Sequence, residues 1–332
     1  MIDRDIPQQR ANQIVDISNW PVHEEYEVFP VGARDKSLRI CPADTAPEFC
    51  IPNHKYLFKE AIKSAKDPRK DRHPDQYWAE VIAYKIGGLM GLSIPPAFVA
   101  INSDTGEPGT IIEWFTGYDP NVKERFAPGG DYMQASIKGY DRDKGRQHNL
   151  TTIMTFSRAL SQHASLSHNW KEYWGMCLCF DALIGNTDRH QENWGVIWED
   201  STNSVRLTPF FDNGTSLGHE LFQDRITQCL TDDNMLNAYI RRGRHHMKWH
   251  IDDNKRLPLI DGVAKYCEKY PNVAPLLAKH LSWNDDELET ILNELTTFTI
   301  KSPLTTERAA FIHKLTCFRK ELLLEVINEH LP

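Results

Sequence analysis

The sequence predicts an α+β fold in two lobes: a small antiparallel β-sheet lobe carrying one helix, then a larger, mainly α-helical lobe. Two observations carry this. Short strand-like runs broken by turn residues fill residues 26–115, with one helical period among them. After Gly117 the character changes, and from residue 151 onward apolar residues recur at helical spacing. With 332 residues the chain can build two lobes with real cores. The expected division is an N-terminal extension over 1–25, a small lobe over 26–117 and a helical lobe over 118–332.

Taken in order, residues 26–31 read as a strand, the stretch 32–36 breaks it, and residues 37–40 read as its hairpin partner. Residues 56–61 form a third strand, and the lysine- and proline-punctuated stretch 62–75 an exposed loop. Trp78, Val81, Ile82, Ile86 and Leu89 recur at three- and four-residue steps, which predicts a helix with Asp75 as N-cap and Gly91 as stop. Pro95 and Pro96 exclude helix, and strands over 97–101 and 109–115 flank a turn at 103–106. Residues 118–150, rich in Gly, Pro and charge, read as a long surface excursion. The run 169–184 is a strongly apolar, buried helix. Ser282 with Asp285 approximates a capping box before a helix bearing Leu288, Ile291, Leu292 and Leu295, and residues 305–330 form a long terminal helix.

Net charge is −8, which argues against gripping a nucleic-acid backbone. A local basic stretch, Arg241, Arg242, Arg244, His245, His246 and Lys248, reads as a solvated helix face or loop. Seven cysteines are scattered without a C-x-x-C pair, so a zinc ribbon is unsupported and free thiols in a reducing cytosol are expected. The charged start of the chain leads into no apolar run, and no 18-residue apolar stretch exists. A cytoplasmic placement follows, and an injected or unconventionally secreted protein would share this composition.

The chemistry lies in three pieces. Asp188 and Asn193 stand five positions apart, between the buried helix and a strand over 194–198. A kinase catalytic loop uses that spacing: the Asp meets a substrate hydroxyl while the Asn reaches a Mg²⁺ on the phosphates. Asp212 follows an apolar pair, and a hairpin turn at 200–203 would return it beside Asn193 as a second hard oxygen ligand. Upstream, Lys59 is placed like the phosphate-pairing lysine of a kinase small lobe and Glu80 like its ion-pair partner. Each piece alone has a bland reading: an exposed strand lysine, a surface glutamate, an Asp capping a turn at Asn213-Gly214, a packed loop histidine at His190. Their order along the chain favours a protein-kinase-like fold. Near the surface, a Lys59–Glu80 pair would contribute only about 0–1 kcal/mol, so loss of Lys59 should weaken catalysis more than folding.

Gly32-Ala33-Arg34-Asp35-Lys36-Ser37, Glu113-Trp114-Phe115, residues 183–193 and residues 207–212 together resemble the HipA-like serine/threonine kinase family, named for a bacterial toxin of a toxin–antitoxin pair. The resemblance runs from about residue 29 to 217. It implies a two-lobed protein kinase using ATP and Mg²⁺. Val31, Gly32, Ala33, Arg34, Asp35, Lys36 and Lys59 would be phosphate-side contacts supported by Glu80. Glu113, Trp114 and Phe115 would form the adenine-reading hinge. Asp188 would be the catalytic base, His190 and Phe211 would lie by the nucleotide, and Asn193 and Asp212 would hold the metal. A protein Ser/Thr substrate and an antitoxin-like partner are the expected partners. Phosphatidylinositol-like or small-molecule kinases, and a kinase-like binding module, stay open as alternatives. The sequence departs from the family in two places. Phe29 stands where many family toxins carry a regulatory serine, and only some 25 residues precede the first predicted strand, so docking through an extra N-terminal subdomain is not expected.

Overall fold

The computed structural model describes residues 4–23, 36–61, 73–202 and 204–331. The predicted strand at 26–31, Phe29, and Val31, Gly32, Ala33, Arg34 and Asp35 of the predicted phosphate turn lie outside them.

The first half is a five-stranded sheet. Its strands are β1 (Val15–Asp16), β2 (Lys36–Ile40), β3 (Lys55–Glu60), β4 (Ala97–Asn102) and β5 (Glu107–Glu113), in the spatial order β1-β4-β5-β3-β2. All neighbours are antiparallel except β1 with β4. The stretch before residue 26 thus contributes an edge strand. Alternation along β3 gives each face its own packing: Tyr56 and Phe58 join Trp20, Phe49, Phe98 and Ile111, while Leu57 packs with Leu38, Ala97 and Ile112. Lys59 falls on the Leu57 face.

Helix α1 (Trp78–Leu89) lies between β3 and β4 in sequence and packs on β4 and β5. Its predicted N-cap is corrected. The helix starts after Tyr77 with no side-chain cap, and Asp75 instead pairs with Arg308 of the terminal helix at 3.0 Å. A far cation outcompetes the local cap for that carboxylate. Gly91 does end the helix, one residue past its C-cap Met90, and Leu92 N–H returns to the Gly87 carbonyl.

The predicted surface excursion at 118–150 is instead structured. It holds β6 (Glu124–Pro128) and α2 (Gly129–Ser136), and β6 pairs with a later strand. Gly129 is there for close approach: a Cβ on it would lie 2.1 Å from the Trp194 ring. What reads locally as a turn residue makes room for a buried tryptophan 65 positions away.

The remainder is helical around a second sheet: α3 (Leu150–His163), β7 (Ser165–Leu166), α4 (Trp170–Ile184), β8 (Gly195–Glu199), β9 (Ser204–Leu207), α5 (Gln223–Thr231), α6 (Asp233–Arg242), α7 (Leu259–Lys269), a 3-10 turn at Pro271–Val273, α8 (Ala274–His280), α9 (Asp285–Leu295) and α10 (Thr306–Asn328). The sheet order is β6-β8-β9-β7. Helix α4 is the buried axis of this lobe, and α3, α7, α8 and α10 pack against it. Helix α9 carries a full capping box on Asn284 and Glu287, two residues later than Ser282 and Asp285 suggested. The basic stretch splits: Arg241, Arg242 and Arg244 are exposed, whereas His245 is buried and His246 half-buried. All seven cysteines are free thiols. Among the described residues no helix is long and apolar enough to cross a membrane.

Candidate active site

Helix α4 stops at Gly185, which adopts a left-handed conformation (φ 71°) and gives its N–H to the Asp181 carbonyl. The chain then turns through residues 186–193 before β8. Asn186 caps this turn by accepting the Asp188 N–H at 2.9 Å, and its own amide donates to Asp181 Oδ1 at 3.2 Å. The Asp188 carbonyl accepts the Asn193 side-chain amide at 2.8 Å and the His190 N–H at 2.7 Å. The five-residue spacing read from the sequence is therefore a closed loop, tied across its ends. Bonding through Nδ2 leaves Asn193 Oδ1 as the atom that side chain can offer a cation.

Beneath the loop lies a charge that the sequence reading missed. Arg189 is 1% exposed and pairs with Asp181, which is 0% exposed, through Nη2 at 2.7 Å and Nε at 3.1 Å. Burial alone would lower the Arg189 pKa, but the Asp181 carboxylate prevails and it is raised. The same guanidinium donates to the carbonyls of Asn193 (3.1 Å) and Phe211 and to Asn213 Oδ1 (2.9 Å). One buried fork thus holds the backbones of both predicted metal ligands, Asn193 directly and Asp212 through its neighbours. The available signal was Asp181 itself, the one charged residue in the buried stretch 174–184 of α4, where an unpaired charge does not survive.

From the first sheet, Lys59 Nζ reaches Glu80 Oε1 at 2.8 Å and Asp212 Oδ1 at 2.7 Å. The other Glu80 oxygen accepts the Asn213 N–H at 3.0 Å. Asp212 stands in the left-handed region, φ 57°, with its side chain about a third exposed. A non-glycine residue held there carries backbone strain of order 1–3 kcal/mol, which accumulates at functional sites. Lys36 pairs directly across from Lys59 in the β2–β3 register, so the two share a face. Residues 21 and 153 positions from Lys59 thus meet at one ammonium.

The HipA-like C-terminal domain family matches this chain over residues 32–256. The chain belongs to that family. Within it, a 68-residue stretch is 32% identical to the serine/threonine-protein kinase CtkA of Helicobacter pylori, covering 20% of this chain and 21% of that protein. The crystal structure of CtkA, a proinflammatory kinase of the same organism, superimposes with a TM-score of 0.73 over 95% of this chain and 97% of the other, at 16% identity. The likeness is one of fold, and the fold is kinase-like.

The other predicted residues of this HipA-like chain are also tied into the protein by their side chains or main chains. The Glu113 carboxylate is 2% exposed and engaged within the protein, accepting from Arg4 at 2.5 Å, Tyr56 at 3.0 Å and Tyr118 at 2.9 Å. Its side chain therefore braces the segment rather than facing a ligand. The Trp114 carbonyl lies 2.6 Å from His54 Nε2. Phe115 is buried in an aromatic triad with Phe126 and Phe211, at centroid separations of 5.5 and 5.0 Å. That triad ties the end of β5 to the segment before Asp212. Phe126 was missed because it lies in the stretch read as surface loop. His190 Nδ1 accepts the Glu192 N–H at 3.1 Å, and its ring meets His246 edge-on at 5.8 Å. Burial, reinforced by the Arg256 charge, lowers the His246 pKa to about 4 and keeps that ring neutral near pH 7.

Lys59 corrects the near-surface expectation most clearly. It is 5% exposed and Glu80 3%, so their pair is buried. Removing one partner leaves a buried carboxylate without its cation, and such losses cost about 3 kcal/mol or more. Lys59→Ala is expected to lower stability by about 3 kcal/mol as well as slowing any reaction at the site, with Asp212 exposure moderating the loss. Urea denaturation reads it. An unchanged midpoint would return the pair to the surface-bridge class.

Proposed function

We propose that this chain is an ATP- and Mg²⁺-dependent protein kinase that transfers the γ-phosphoryl group to a Ser or Thr hydroxyl. The observation that supports this best is Lys59 Nζ lying between Glu80 and Asp212. A kinase needs a lysine held on the phosphates by a helix glutamate and an aspartate beside the metal. Lys36 lies directly across from Lys59 in the strand register and adds a second cation to that face. In this reading Asp188 accepts the proton of the acceptor hydroxyl as the oxygen attacks the γ-phosphorus and the bond to the β-phosphate oxygen breaks.

The donor set fits magnesium. Asn193 Oδ1 and the Asp212 carboxylate are hard oxygens on backbone that the Arg189 fork holds at Asn193 and Phe211, and Mg²⁺ takes such ligands alongside phosphate oxygens and water. When bound, the ion would neutralise charge building on the transferred group. Lys59 and Lys36 would hold the phosphates, joined by Val31, Gly32, Ala33, Arg34 and Asp35 of the turn. Glu113, Trp114 and Phe115 would offer adenine their main chain, since the Glu113 carboxylate is engaged elsewhere. Phe211 would brace this wall, and His190 would lie near the phosphates. An antitoxin-like protein is the partner class that family membership suggests.

Millimolar Mg·ATP should raise the melting temperature, because a ligand of the folded state adds about 2.7 kcal/mol at 100-fold over its dissociation constant. Asp212→Ala should remove most of the shift. No shift in the wild type, or a full shift in the variant, would count against the metal and nucleotide assignment.

A further inference from the structure

Arg319 is a buried cation that the proposed chemistry does not use. It sits on α10, is 3% exposed, and has no hydrogen-bond partner for Nε or Nη1 among the described residues. Its guanidinium faces the Tyr239 ring at 5.8 Å, and the Tyr239 hydroxyl donates to Glu220 at 2.7 Å. The plane of the guanidinium lies flat on Gly185: a Cβ there would be 2.2 to 2.3 Å from Nη2, Cζ and Nη1 at once. Gly185 is the residue at which α4 ends and the 186–193 loop begins.

A buried guanidinium with unbonded N–H groups is costly, and an apolar side chain of similar length would fill the space without that cost. What the cation supplies is charge at the C-terminus of α4, where unsatisfied carbonyls concentrate negative potential. Its planarity supplies a flat support that a left-handed glycine can accept. We propose that Arg319 is a positioning residue: it clamps the Gly185 turn from below and so fixes the direction in which the loop carries Asp188 and Asn193. It touches neither substrate nor metal. The two arginines divide the task, Arg189 holding the far side of the loop and Arg319 its origin.

The catalytic consequence rests on the kinase reading, and the clamp itself does not. The test uses the full chain as Arg319→Met and Arg319→Lys, with hydrogen exchange of peptides spanning 184–193 and phosphoryl transfer from Mg·ATP to dephosphorylated casein. Exchange at residues 185–190 is expected to quicken roughly ten-fold in the methionine variant while the sheet lobe is unchanged. The kcat should fall roughly 10- to 100-fold with the KM for ATP nearly constant, because misplacement of the loop affects the transition state and not nucleotide binding. Lysine, keeping charge without the plane, should restore part of both, and it carries the measurement should the methionine variant not fold. Unchanged exchange in a folded variant, or a changed KM with retained kcat, overturns the clamp. A wild type that neither transfers phosphoryl nor shifts with Mg·ATP overturns the kinase reading instead, and the exchange result still decides the clamp.

Discussion

Asp188→Asn is expected to bind Mg·ATP like the wild type and to transfer its γ-phosphoryl group roughly 10²- to 10⁴-fold more slowly, the usual contribution of a general base. The loop makes this a clean substitution. Its main chain is fixed on both sides of residue 188, by the N–H to Asn186 and by the carbonyl bonds from His190 and Asn193. None of these uses the carboxylate, so an amide of the same shape keeps these main-chain bonds while removing the basicity. Single-turnover transfer from radiolabelled ATP, paired with a thermal-shift titration, separates the two effects. Near-wild-type transfer would remove Asp188 from the base role. Lost nucleotide binding would show that its charge mainly organises the site.

The loop was legible because its information is local. Four residues between an Asp and an Asn, after a buried helix and before a strand, leave little freedom in where they go. Lys59, Glu80 and Asp212 were legible only through their order, since nothing in sequence says that Asp212 meets the ammonium of a lysine 153 positions away. What stayed hidden depends on partners far along the chain. Arg4 meets Glu113 across 109 positions, and that pairing gives the carboxylate a bracing role that no local pattern announces. Gly129 packs under Trp194, so a glycine that resembles a loop signal marks close packing. Asp75 matches a helix cap by every local rule, yet Arg308 takes it. Caps contribute about 1 kcal/mol, which a tertiary ion pair can override.

The clearest structural consequence of that long-range wiring is at Arg189. Arg189→Met is expected to cost about 3–5 kcal/mol, the range for breaking a buried ion pair from one side. Asp181, 0% exposed, would keep its bond from Asn186 but lose the guanidinium that pairs with it. A domain is stable by about 5–15 kcal/mol in total, so the denaturant midpoint should fall sharply. Much of that loss belongs to the orphaned carboxylate, not to the missing contact. Arg189→Met with Asp181→Leu removes both charges and should therefore recover a good part of the stability, as replacement of buried pairs by apolar residues often does. It should not recover activity. The carbonyls of Asn193 and Phe211 would still lack the donor that sets them side by side, so the two proposed metal ligands, Asn193 before β8 and Asp212 after β9, would lose their common anchor. Urea denaturation and Mg·ATP thermal shift on the two variants separate these roles. A double variant that regains its midpoint and its Mg·ATP shift together would show that Arg189 serves folding alone. A double variant that regains stability without the shift is the expected result, and it would place the Arg189 fork in the geometry of the site.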